Sequence, residues 1–235
     1  MKQQYVADTN DFHKFALLRR LSVGGRVRVG VFWMLTPPDD RTDGRRIDYL
    51  ERPDLWRHID PELFDALRPI AKVETVRRLS LIERSRIMPR ALYFDEFVPT
   101  LPELRRAYIE VGLRELQNAD LIFFDPDNGL NVPSVAKGQS GSPKFIYRDE
   151  ISGAFQGGHS VAVYQHFSRE PRQAFTRRLA GDLGECAPGA TLWGYRTGDV
   201  VFFLIVHPRH SALCKTAANA TAGWPSSFIV GEKLS

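Results

Sequence analysis

Groups able to do chemistry concentrate in a few short stretches: Asp8-Thr9-Asn10-Asp11 with Lys14, Asp95-Glu96, Asp125-Pro126-Asp127-Asn128-Gly129, and Tyr164-Gln165-His166. The densest is Asp125 to Gly129, which follows the apolar run Leu121-Ile122-Phe123-Phe124. Asn-Gly and a proline are good turn chemistry, since Asn and Gly tolerate positive φ. Two carboxylates directly after a fully apolar run are more than a turn requires. Asp125, Asp127 and Asn128 are therefore the catalytic candidates. They could present convergent acceptors to an exocyclic amine or hold a divalent cation through oxygen.

The other stretches admit plainer roles. Asp8 and Asp11 can cap a helix, and Lys14, one turn further on, can sit in solvent or meet an acidic or phosphate ligand. Asp95 and Glu96 can cap a helix, bind ribose hydroxyls or take a metal. His166, on an apolar run, reads first as a core histidine, and its place beside Tyr164 and Gln165 adds a ligand or proton-transfer role. His58 and the pair His207 and His210 have no metal-ligand spacing.

These residues need elements to hold them. A polar start at Asp8, apolar residues from Phe12 to Leu21 and a Gly24-Gly25 stop predict a helix. Residues 27–35 are apolar and β-branched before Thr36-Pro37-Pro38 and predict a buried strand. A polar loop over 39–44 follows, then helical periodicity over 47–55 and 61–71. Residues 73–82 read as a weaker strand and 91–94 as a short strand ending in Asp95-Glu96. The pattern over 101–116 after Pro102 predicts a helix, and 120–126 a buried strand. Residues 128–158 form a long polar stretch with one short helix over 149–155, a length that marks a functional or mobile loop. A strand over 160–167 and a helix over 171–183 come next. Strands over 191–195 and 200–207 are joined by the polar turn Arg196-Thr197-Gly198-Asp199. A helix over 209–220 and a strand over 227–230 complete the chain. Strands alternating with helices predict a single α/β domain over 1–235: a Rossmann-like three-layer fold with a mostly parallel sheet ending in an antiparallel hairpin. Ligands in such sheets sit at the carboxyl ends of the strands, where the chemical stretches fall.

Length and composition agree. The chain has 235 residues, 43% of them apolar and 26% charged, enough for a core and too mixed for a disordered or fibrous protein. No apolar run approaches the roughly 20 residues that span a bilayer. The opening MKQQYVADTNDF has no apolar signal core, which predicts a cytoplasmic protein. Two cysteines, Cys186 and Cys214, exclude a disulfide framework. Net charge is +4, and 25 of the 32 basic residues are arginine. Arginine binds phosphate bidentately, so nucleic acid is the expected partner, with Arg77, Arg78 and Arg84 as candidate contacts.

The segment Asp120-Leu-Ile-Phe-Phe-Asp-Pro-Asp-Asn-Gly-Leu130 resembles the strand-tip motif of class I S-adenosylmethionine-dependent amino-group methyltransferases, Asp/Asn-Pro-Pro-aromatic. The opening helix, with Asn10, Asp11 and Lys14, is similar to that of the bacterial large-subunit ribosomal RNA adenine-N6 methyltransferase family. The order of strand, Asp-Pro tip, strand, helix and hairpin follows that family over most of the chain. The second proline is Asp127 here, the aromatic is Asn128, and the glycine-rich loop after the first strand is missing. A stacking aromatic would have to come from Tyr147, Tyr164 or His166. The resemblance implies S-adenosylmethionine as cofactor, held by Asn10, Asp11, Lys14, Asp95 and Asp125. It also implies methyl transfer to an exocyclic amine of a nucleic acid, with no metal. Two alternatives stand beside it. One is a nuclease or phosphodiesterase using Mg²⁺ or Mn²⁺ on Asp125 and Asp127. The other is an inactive Rossmann-like nucleic-acid binder.

Overall fold

The computed structural model describes residues 1–38, 46–72, 78–85 and 87–235. The elements run α1 (Thr9–Ser22), β1 (Val29–Phe32), α2 (Pro53–Trp56), α3 (Pro61–Lys72), α4 (Leu79–Arg84), β2 (Leu92–Phe94), α5 (Pro102–Glu115), β3 (Leu121–Phe124), β4 (Gly129–Leu130), β5 (Phe145–Ile146), α6 (Arg148–Gln156), β6 (Ser160–His166), α7 (Arg172–Cys186), β7 (Thr191–Arg196), β8 (Val200–Val206), α8 (Ser211–Asn219) and β9 (Val230–Lys233).

The main sheet orders its strands β2-β1-β3-β6-β8-β7-β9. The pairs β1 with β2, β1 with β3, and β3 with β6 are parallel, while β8 is antiparallel to both β6 and β7, and β9 to β7. A parallel core closed by an antiparallel hairpin is a Rossmann-like α/β fold with the strand order of a methyltransferase-like sheet. Helices cover both faces, so the central strands read as unbroken apolar runs. Val31, Phe123 and Phe202 face one core with α1, α3, α4 and α8. Phe32, Phe124 and Phe203 face the other with α5, α6 and α7. Helix α5 lies close on the sheet because of Gly112: a Cβ there would stand 2.3 Å from the Phe32 ring.

Three expectations change. Residues 79–82 belong to helix α4 and not to a strand, because buried Leu79 and Ile82 recur three positions apart on one face. The rest of that expected strand, 73–77, and the expected loop 39–44 lie outside the described residues. The last strand begins at Val230, since Phe228 and Ile229 are buried in the first core ahead of the edge pairing with β7. The polar stretch 128–158 contains β4 and β5, a parallel two-residue pair, and helix α6. Buried Arg105 of α5 ties that stretch down through both oxygens of Glu150 (2.6 and 2.9 Å) and the carbonyls of Ser142 and Phe145 (3.0 and 2.6 Å). No helix among the described residues is long and apolar enough to cross a membrane.

Candidate functional site

Parallel β1, β3 and β6 end side by side, and α1 begins next to their tips. Between them lies a cavity of about 310 Å³. It is lined by Asp8, Asn10, Asp11 and Lys14 from α1 and its cap, by Asp125 to Asn128 after β3, and by Tyr164 and His166 of β6. Arg46 and Lys144 also line it.

Local structure aims these groups. Asp8 is extended and caps α1 by accepting from the Asp11 amide at 2.9 Å. Asp11 in turn accepts from the Ala7 amide at 2.8 Å. Ala7 has φ of 62°, a strained conformation for a residue with a Cβ, placed directly before the cap. The turn after β3 is held by Gln165, which accepts from the Leu130 amide at 2.7 Å and donates to the carbonyl of Asn128 at 3.3 Å. Gly129 is required here: its φ is 114°, and a Cβ would fall 2.3 Å from the Gln165 carboxamide.

At the cavity floor, Lys14 Nζ lies 2.6 Å from Asp11 Oδ1 and 2.7 Å from Asp125 Oδ2. Lys14 and Asp125 are each 2% exposed. Burial opposes the Lys14 charge, but the two carboxylates outweigh it and hold its pKa above the ordinary value. Asp8, 5% exposed, is pushed up to about 7 by burial and by the neighbouring Asp11 carboxylate. Asp11 is raised as well, chiefly by burial. Asp127 goes the other way. The Met1 amino group at 2.7 Å and the Thr36 hydroxyl, donating at 2.6 Å, keep it ionised against the cost of burial. That amino group also donates to the carbonyls of Met34 and Asp125 at 2.9 and 3.0 Å.

On the β6 wall, Asn10 Nδ2 donates to the Tyr164 hydroxyl at 3.2 Å, and that hydroxyl lies 3.1 Å from His166 Nε2. In the neutral imidazole, Nε2 accepts from this hydroxyl or donates to it according to the tautomer. Burial lowers the His166 pKa, which favours that neutral form. Asn10 Oδ1 is buried and has no partner among the described residues.

The sequence candidates divide accordingly. Asn10, Asp11, Lys14, Asp125, Asp127 and Asn128 meet at the cavity. Asp95 follows β2 on the exposed surface and does not line it. Arg78 and Arg84 are exposed at α4 and away from the cavity, and Arg77 lies outside the described residues. Asp8 was legible only as a cap. Arg46 and Lys144 carried no signal in their spacing, because tertiary bonds bring them in: Thr9 donates to the carbonyl of Arg46 from N and Oγ1 (2.9 and 2.7 Å), and the Asn128 amide donates to that of Lys144 (2.9 Å).

In a methyltransferase-like sheet, S-adenosylmethionine needs an open tip on β1. Here Trp33 and Met34 are fully buried at that tip, and residues 33–38 hold no glycine. Of the Asp125 acceptors that would orient an amine, Oδ2 already accepts from Lys14 and the carbonyl from the Met1 amino group, which leaves Oδ1. The residues do not fit that cofactor. Nor do Asp125 and Asp127 fit a divalent metal, each being paired to a cation. No group of three or more His, Cys, Asp or Glu among the described residues is placed to hold one.

A second constellation lies at the opposite end of the sheet, where Ser160 Oγ is 3.0 Å from His210 Nδ1 and His210 Nε2 is 3.8 Å from Asp120. Ser160 is fully buried and already accepts from the His207 amide at 3.0 Å, so this set braces β6 against the chain after β8. No protein family matches the chain, and no curated protein matches it.

Proposed function

We propose that the strand-tip cavity is an enzyme site for acid–base chemistry on a small polar ligand, with Asp8 as the proton-carrying group. The carrying observation is a carboxyl, 5% exposed, that lines the cavity directly beside the buried Asp11, a setting that raises its pKa. A general acid or base works best when its pKa lies near the operating pH. Asp8 exchanges its proton with the ligand, giving it to a leaving atom in one direction or taking it from an attacking water in the other. Asp11, Lys14 and Asp125 are positioning residues: burial raises the Asp8 pKa, the Asp11 carboxylate adds to that rise and Lys14 opposes it, while the ion pairs of Lys14 with Asp11 and Asp125 hold the floor. His166 lines the β6 wall beside the Tyr164 hydroxyl. The expected class is hydrolysis or group transfer.

Methyl transfer keeps one supporting observation, the strand order with an Asp-Pro tip at the cavity. Buried Trp33 and Met34 close the β1 tip to that cofactor. The test has two arms. The Asp8 carboxyl is titrated by carbon NMR, and turnover is screened over nucleosides, nucleotides and esters. We expect a midpoint near 7 and a loss of about 10²-fold or more in turnover for Asp8→Asn with the fold intact. A midpoint near 4 overturns the reading. So does a rise in melting temperature with micromolar S-adenosylhomocysteine, which would restore methyl transfer.

A further inference from the structure

The cavity is graded from floor to mouth. Asp8, Asp11, Lys14 and Asp125 are all buried, whereas the Arg46 side chain is 59% exposed and Lys144 is half-buried. The floor therefore offers carboxylates, which recognise hydroxyl and N–H donors, and the mouth offers cations. Asn10 Oδ1 adds a buried acceptor with no partner among the described residues. A buried acceptor left unpaired destabilises the site, and a ligand donor would remove that cost. At the mouth, Arg46 pairs with Asp199 in the β7–β8 turn, and Lys144 makes no ion pair among the described residues. With the Met1 amino group and Lys2, which also line it, the cavity carries five basic groups against four carboxyls. A doubly charged anion at the mouth complements it.

Resting on the acid–base reading of the same cavity, we propose that its ligand is a sugar phosphomonoester. The hydroxyl-bearing end enters the carboxylate floor and donates to Asn10 Oδ1, while the phosphate stays at the mouth between Lys144 and Arg46. A volume of about 310 Å³ suits a ligand of this size.

The test is calorimetric titration of the full chain with ribose 5-phosphate, adenosine 5′-monophosphate, ribose, adenosine and inorganic phosphate. We expect both phosphomonoesters to bind and the unphosphorylated pair to bind at least about tenfold more weakly. Inorganic phosphate alone should bind weakly, through the same lysine. Lys144→Ala should cost about tenfold and Lys144→Arg should restore most of it. Asn10→Ala should weaken the sugar phosphates while leaving inorganic phosphate unchanged. A preference for adenosine 5′-monophosphate over ribose 5-phosphate would identify a nucleotide, and equal binding a sugar phosphate. Absence of binding by both phosphomonoesters overturns the inference, as does binding indifferent to Lys144. The acid–base reading fails separately: an Asp8 midpoint near 4 removes it while Lys144-dependent binding stands.

Discussion

At the scale of single residues, the floor of the cavity stores electrostatic free energy. A native carboxyl with a pKa near 7 binds its proton more tightly than an unfolded one near 3.9. Its contribution to stability is thus present below about pH 4 and is lost as pH rises through 7. Asp8→Asn keeps a good helix cap and removes that loss. In urea unfolding, the variant should match the parent near pH 4 and exceed it by about 4 kcal/mol at pH 8. Identical pH slopes for the two proteins would contradict the Asp8 assignment. Lys14 gives the opposite case. Lys14→Met leaves Asp11 and Asp125 buried without a counter-ion and should cost about 3–5 kcal/mol, read as a lower denaturation midpoint. Much of this floor was visible in the sequence as polar letters at the ends of apolar runs. Its pairing was not: Lys14 meets Asp125 across 111 positions of chain, and no local pattern encodes that distance. Asp127 shows the same limit, since a carboxylate beside a proline looks free until the Met1 amino group and Thr36 are seen against it.

At the scale of elements, the legible parts were those whose burial repeats with a regular period. Strands β3 and β8 are buried on both faces and announce themselves as continuous apolar runs, and β6 does so over 161–164. Helix α4 was misread because six residues give too little sequence to separate a period of two from one of three to four. The stretch 128–158 stayed opaque because its order depends on one distant side chain. Arg105 serves there as a buried hub, satisfied by Glu150 and two carbonyls. Replacing it with Met leaves the buried Glu150 carboxylate with only the Lys137 ammonium at 3.4 Å as counter-ion and should cost about 2–3 kcal/mol, less than the loss of a sole partner. The loss should appear as faster proteolysis between residues 131 and 144, while the sheet unfolds in a single later step. The double variant Arg105→Met, Glu150→Leu should recover part of the stability. If the single variant resists protease like the parent, the tether is not what orders the stretch.

At the scale of the whole molecule, the surface is basic but partly neutralised in place. Arg57 pairs with Asp65, Arg148 with Asp182, and Arg178 with Glu170. Arg78 and Arg84 stand exposed at α4. Binding to an RNA hairpin or a DNA duplex should accordingly be measurable at low salt and fall steeply as salt rises. Replacing Arg78 and Arg84 with Ala should flatten that slope. A slope unchanged by both would place the polyanion elsewhere or reduce the arginine excess to composition. The antiparallel hairpin has a different consequence, one that belongs to the making of the molecule. Strand β8 reads Val-Val-Phe-Phe-Leu-Ile-Val, seven buried residues with no charge, glycine or proline. It fills the place between β6 and β7. During synthesis the parallel strands emerge first, and β6 keeps an open edge until this segment arrives. An uncharged run of that kind pairs as readily with its own copies as with β6. The yield of refolded protein should therefore drop with chain concentration, and the ribosome's one-at-a-time delivery is the condition under which this sheet closes cleanly.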